Sequence, residues 1–198
     1  MTKKSSITSV LFHTKRGVIT VKSALILYWS NTGNTEKVAY AIKEGLEAAG
    51  VNVSLKRTTE ADNIDYFDYD LVCVGAPSIQ WHPPKQVTDF LLKKFSENRK
   101  QGRIKTGAPK VPGKYALMFC TYSGPHTGLR EATPVGLYMG QFFEHIGFTV
   151  VDEWYVLSEF IGNGERSTKG RMGDIRGKPT KEELQKIRMD AKNLASKL

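Results

Sequence analysis

The chain has 198 residues, 40% of them hydrophobic and 10% aromatic, enough for one cored domain and ordinary for a water-exposed globule. Its longest apolar runs reach about seven residues, too short for a bilayer-spanning helix, and no stretch has the charged start, apolar centre and small-residue cleavage site of a secretory signal. The net charge of +9 raises nucleic-acid binding, but no zinc-ligand spacing, basic heptad or RNA-binding sheet motif accompanies it, which leaves a solvated basic surface.

Residues 1–22 contain Lys3, Lys4, Lys15, Arg16 and Lys22 and no acid; the remainder has 24 basic and 20 acidic residues, a net +4. Within this extension ITSVLF (7–12) and VITVK (18–22) flank HTKRG and read as a β-hairpin. The alternative is a start-site artefact, with an AGG-rich ribosome-binding sequence encoding Lys15-Arg16-Gly17 and the start at Val21. From residue 23 the pattern is regular. ALILYW (24–29) is a continuous apolar strand, the kind buried on both faces. Residues 35–49 form a helix with Val38, Ala39, Ile42 and Leu46 on one face, ended by Gly50. VNVSLK (51–56) alternates as a half-buried strand, and a short helical piece separates it from the buried strand YDLVCVG (69–75). Pro83 and Pro84 open a helix carrying Val87, Phe90, Leu91 and Leu92. KYALMFCTY (114–122) is the next strand. Pro134 starts a helix with Leu137, Met139, Phe142, Phe143 and Ile146, and FTVVDEWYVL (148–157) is the last strand. Residues 180–197 close the chain as a helix with Leu184, Ile187, Ala191 and Leu194, begun by a Thr180/Glu183 capping box.

Strictly alternating strands and helices predict an α/β fold, a parallel sheet with helices on both faces. The division is a 1–22 extension and a 23–198 domain, without internal repeats. In such sheets ligands sit beyond the carboxyl ends of the strands. Four loops therefore matter: 30–35, 76–82, 121–128 and 158–178.

The first loop concentrates polar groups. Ser30, Thr32 and Thr35 offer hydroxyls, Asn31 and Asn34 amides, and Gly33 lets backbone N–H groups come close. The helix start near Asn34 adds its positive dipole end. This is a phosphate cradle without a lysine. A triphosphate loop would end in Gly-Lys-Ser/Thr and hold Mg²⁺, so a terminal monophosphate is the better fit. The second loop, GAPSIQWHPP (75–84), supplies Ile79, Gln80 and Trp81. The third, TYSGPHTG (121–128), supplies Tyr122, Gly124 and His126. Aromatics at two successive strand ends beside a phosphate cradle describe a slot for a flat ring joined to a phosphate.

S-N-T-G-N-T after the first strand resembles the flavodoxin phosphate loop, T/S-x-T-G-x-T, at every defined position. GAPS after the third strand, TYSG after the fourth and the element order are also similar to that family, over about residues 23–161. The resemblance implies a three-layer α/β/α doubly wound sandwich, a five-stranded sheet of order 2-1-3-4-5 and one non-covalent FMN. Residues 30–35 would hold its phosphate. Pro77, Ser78, Ile79, Gln80 and Trp81, with Thr121, Tyr122, Ser123, Gly124 and His126, would flank its ring. Two departures stand out: flavodoxins are usually acidic, and the family's inner aromatic falls nearer Ile79 than Trp81. His82 and His126 lie where the family's electron carriers often have acids or small residues, so a less negative second reduction potential is expected than in acidic flavodoxins.

The basic stretch 96–114 belongs at the amino ends of the strands, away from this site. The stretch 162–178 follows the last strand and emerges beside it, carrying Arg166, Lys169, Arg171, Arg176 and Lys178 against Glu165 and Asp174. It reads as a long structureless loop that borders the pocket and meets an acidic partner or an anionic substrate. GNGERS within it lacks the setting of a dinucleotide fingerprint.

No Ser-His-Asp order, metal cluster or paired-carboxylate spacing stands out, so no catalytic side chain or metal ligand is assigned. The leading reading is a flavodoxin-like electron carrier with a redox partner protein. The alternative is an NAD(P)H-dependent FMN reductase acting on quinones or other small acceptors, often built as a dimer. A third is a module that senses flavin or has lost it. Cys73 and Cys120 sit in apolar runs as buried thiols, which points to a reducing, cytoplasmic setting.

Overall fold

The computed structural model describes residues 22–196. The hairpin expected over residues 1–22 thus lies, save Lys22, outside the described residues. Five strands, β1 (Ser23–Tyr28), β2 (Asn52–Arg57), β3 (Leu71–Pro77), β4 (Tyr115–Tyr122) and β5 (Thr149–Leu157), form one sheet of order β2-β1-β3-β4-β5. Every pairing is parallel. The helices are α1 (Asn34–Glu47), α2 (Lys85–Lys100), α3 (Thr133–His145), α4 (Gly164–Thr168) and α5 (Lys181–Ala195).

The two-residue period of the strands sorts the core into two layers. Leu25, Leu27, Val72, Val74 and Met118 face α2 and α3, where they meet Val87, Phe90, Val135 and Phe143. Ile26, Cys73, Leu117 and Phe119 face α1 and α5, where they meet Val38, Ile42, Leu46 and Ile187. Burying each such side chain is worth roughly 1.5–3 kcal/mol. The central strands β1, β3 and β4 are buried on both faces, whereas edge strands β2 and β5 are half-buried along their length. Tyr66, Phe142, Phe143 and Phe148 add edge-on and tilted ring contacts under the α3 layer. Both cysteines are buried free thiols whose pKa burial pushes up.

One close approach is set by glycine. At Gly45 a side chain would collide with the Arg188 carbonyl and lie 2.7 Å from Ala191 Cβ, so α1 and α5 touch through backbone.

Three local expectations change. The helical piece before β3 is two single 3-10 turns, Thr58–Glu60 and Tyr66–Asp68. Leu92 and Leu137, expected on apolar faces, are exposed, because each lies about 100° around its helix from the buried stripe. The 162–178 stretch is folded: α4 interrupts it, and Ser167 and Ile175 are buried. The Thr180/Glu183 capping box is present at α5. No helix among the described residues is long and apolar enough to cross a membrane.

Candidate functional site

The carboxyl ends of β1, β3, β4 and β5 open into one cleft of about 190 Å³. The first loop forms its floor. Ser30 Oγ accepts the Gly33 N–H at 3.1 Å, curling the loop. Gly33 has φ of 91°, a left-handed conformation that turns the chain directly into α1. No side chain caps that helix. Its first backbone donor with a protein acceptor is Lys37 N–H, on the Gly33 carbonyl, which leaves the Asn34, Thr35 and Glu36 N–H groups aimed outward without one. Thr35 Oγ1 lies 2.7 Å from Thr121 Oγ1, both buried, locking the helix start to the end of β4. The Asn34 amide donates to the Glu159 carbonyl at 3.1 Å, and its oxygen accepts from Lys37 Nζ at 3.1 Å.

An acid in the first turn suits a helix dipole but would repel a bound anion. Glu36 is turned aside: it accepts from Tyr28 Oη at 2.6 Å and from Arg57 at 2.8 Å. The Tyr28 hydrogen bond is the largest cause holding its carboxyl below the usual range. Burial, then the Glu36 bond, pushes the Tyr28 phenol up to about 12.

The second loop leaves β3 with Ser78 N–H donating to the Thr121 carbonyl at 2.8 Å, while its hydroxyl donates to the Glu131 carbonyl. Residues 79–82 then make a two-residue hairpin, Ile79 and His82 exchanging both backbone hydrogen bonds at 3.0 Å. Gln80 and Trp81 hold φ of 49° and 65°, a turn that ordinarily selects Asn-Gly. Each costs roughly 1–2 kcal/mol in an L-residue. In the third loop Gly124 has φ of 54°, and a side chain there would come within 2.7 Å of the Gly128 carbonyl. The Glu131 carboxylate accepts the His126 and Thr127 N–H groups at 2.8 and 2.6 Å.

Ten of the sixteen residues singled out from sequence line the cleft: Asn31, Thr32, Asn34, Thr35, Pro77, Ser78, Ile79, Thr121, Tyr122 and Ser123. Ser30, Gly33 and Gly124 shape loops behind it. Gln80 and Trp81 form the hairpin tip, where the indole is 59% exposed, and His126 is exposed on the third loop. Four lining residues were not singled out: Ser158, Glu159, Phe160 and Ile161. The apolar pair Phe160-Ile161, separated by two residues from the end of the last strand, was the available signal. Phe160, rather than Trp81, is an aromatic wall of the cleft.

The Flavodoxin family model matches residues 26–123. Over that stretch, just under half of its length, the chain is similar to the flavodoxin family. It is 30% identical to a flavodoxin of Megasphaera elsdenii, over 49% of this chain and 63% of that protein, so the match spans less than two thirds of this relative's length. It is 28% identical to an NAD(P)H dehydrogenase (quinone) of Caulobacter vibrioides, over 86% of this chain and 94% of that one. A flavodoxin structure from Streptococcus pneumoniae TIGR4 superposes with a TM-score of 0.62 at 18% identity, covering 89% of this chain and 99% of that chain, which shows the shared fold.

FMN is the cofactor of this family, and the cleft's donor set fits it. Three outward backbone N–H groups at a helix start, with the Thr32 and Thr35 hydroxyls beside them, suit one dianionic monophosphate. Among the described residues no His, Cys, Asp or Glu group has the arrangement to hold the metal ion that a triphosphate would bring.

Proposed function

We propose that this protein is an FMN-dependent oxidoreductase that takes electrons from a nicotinamide dinucleotide and passes them to a quinone or a similar small acceptor. When bound, FMN supplies the redox chemistry. The chain's residues bind and screen it. The α1 N-terminus, Thr32 and Thr35 would hold the phosphate. Pro77, Ser78 and Ile79, with Tyr122 and Ser123, would line one side of the ring, and Phe160 the other.

The observation that carries this reading is the fourth wall. Ser158–Ile161 lines the cleft, and the folded segment behind it packs onto the third loop, where Arg171 N–H donates to the Pro125 carbonyl at 2.8 Å. The flavodoxin sequence match ends at residue 123, before that wall, and beyond it the likeness to flavodoxin structures is one of fold alone. The similarity to the Caulobacter NAD(P)H dehydrogenase (quinone) covers 86% of the chain and so must extend beyond it. The order of the two readings drawn from sequence reverses on this point. Two buried free thiols support a reducing, cytoplasmic setting.

The carrier reading keeps one specific observation. Ile79 and Ile161 line the cleft and are exposed, as is Trp81 at the neighbouring hairpin tip, the kind of apolar surface a protein partner covers. Anaerobic mixing of the FMN-loaded protein with NADH and with NADPH separates the two. Rapid bleaching reversed by benzoquinone is expected. Bleaching that requires an added flavoprotein reductase would return the protein to the carriers.

A further inference from the structure

We propose that Arg166 and Arg171 form a recognition site for the 2′-phosphate of NADPH at the rim of the cleft. This rests on the reductase reading above and names its reductant.

The backbone carrying both side chains is fixed. Asn163 Oδ1 accepts the Arg166 N–H at 3.0 Å and so caps α4. Ser167 Oγ accepts from the Phe160 N–H at 3.1 Å and donates to the Phe160 carbonyl at 3.2 Å, riveting α4 to the cleft wall. Ile175 is buried and donates to the Ser167 carbonyl at 2.8 Å. Gly170 is pressed against the third loop: a side chain there would stand 2.9 Å from Pro125 Cα. A site on such a segment loses little chain freedom when it binds.

Arg166 lies on a wall of the cleft and Arg171 against the third loop. Arg166 Cζ lies 4.9 Å over the ring of Phe160, which lines the cleft. Arg171 Cδ is 3.7 Å from the point where a Gly128 side chain would begin, on the third loop. The local charges do not cancel. Asp174 is engaged by Arg176 at 2.5 Å, Glu165 by Lys169 at 3.7 Å, and Lys178 by Glu183 of α5. The Glu159 and Glu131 carboxylates accept backbone N–H groups, from Gly177 at 2.9 Å and from His126 and Thr127. Among the described residues, no carboxylate lies within 4.0 Å of Arg166 or Arg171.

A guanidinium fork matches phosphate oxygens, and two forks carried on one held backbone segment suit a dianion. NADPH and NADH differ in that one group. The α1 N-terminus, which would take the FMN phosphate, belongs to the first loop, so the two anions have separate sites. An acidic protein surface fits less well, because the exposed Ile79 and Ile161 of the cleft and Trp81 on the adjoining hairpin are apolar.

The test uses the full FMN-loaded chain with benzoquinone as acceptor. Wild type should show a kcat/KM for NADPH about tenfold or more above that for NADH. R171Q and R166Q should each lower that ratio, and R171K should keep part of it. Independently, calorimetric titration should show 2′,5′-ADP binding more tightly than 5′-AMP, with the difference lost in R171Q. Bound FMN reports that each variant is folded; if R166Q loses flavin, R171Q carries the result. Reduction without preference, an unchanged ratio in R171Q, or equal binding of the two nucleotides overturns the proposal. Reduction by neither dinucleotide is the separate result that overturns the reductase reading.

Discussion

The Asn34 side-chain amide donates to the Glu159 carbonyl at 3.1 Å, joining positions 125 residues apart in sequence. One buried side chain thereby ties the first loop of the cleft to the fourth. Asn34→Ala leaves that carbonyl without its donor and should cost about 1–3 kcal/mol in chemical denaturation. Asn34→Asp removes the donor and adds a negative charge at the helix start. It should therefore weaken FMN binding further than the alanine does, read by titrating apo-protein with FMN. Wild-type affinity in Asn34→Asp would remove the phosphate from this loop.

Glycine matters differently on the two sides of the molecule. Gly45→Ala drives a methyl group into the Arg188 carbonyl and should destabilise by about 1–3 kcal/mol, with FMN affinity per folded molecule retained. Gly164, at the start of α4, has open space around it and no left-handed backbone. Gly164→Ala should be neutral or stabilise by up to about 1 kcal/mol. Thermal unfolding of both variants checks the pair.

Stability should fall in acid through Asp65. Its carboxylate accepts both Arg103 nitrogens, at 2.7 and 2.6 Å, and that hydrogen bonding is the largest cause holding its pKa below the ordinary value, with burial opposing. A carboxyl lowered in the folded state contributes stability that is present above its unfolded pKa and lost as pH falls through its folded one. The loss should thus develop below about pH 4. Asp65→Asn can still accept the Phe67 N–H that Asp65 takes at 3.0 Å. It should show a flatter acid limb in urea denaturation than wild type.

Charge around the cleft also bears on the potential. Arg166 lies over its Phe160 wall and Arg171 against the third loop, and His126 and His82 are exposed on neighbouring loops. The second reduction potential of the FMN form should be less negative than in acidic flavodoxins, because positive or neutral surroundings favour an anionic reduced flavin. Redox titration giving an equally low value would refute this.

The sequence by itself determined the architecture. Apolar runs such as ALILYW and YALMFCTY can be satisfied only between two helical layers, and the alternation of strands with helices makes the sheet parallel. It also singled out the polar first loop as the candidate phosphate site, because Ser30 to Thr35 is one contiguous stretch whose chemistry is local. Tertiary structure decided the rest of the cleft. That Thr35 meets Thr121 and that Asn34 meets Glu159 are facts of strand order, with no trace in residue spacing. Trp81 sits at an exposed hairpin tip because two consecutive left-handed residues turn it outward, and Phe160 becomes a wall because Ser167 fastens its backbone from seven residues away. The basic segment after β5 looked unstructured since its order comes from single hydrogen bonds to the Phe160 backbone and the Pro125 carbonyl, not from any periodic pattern.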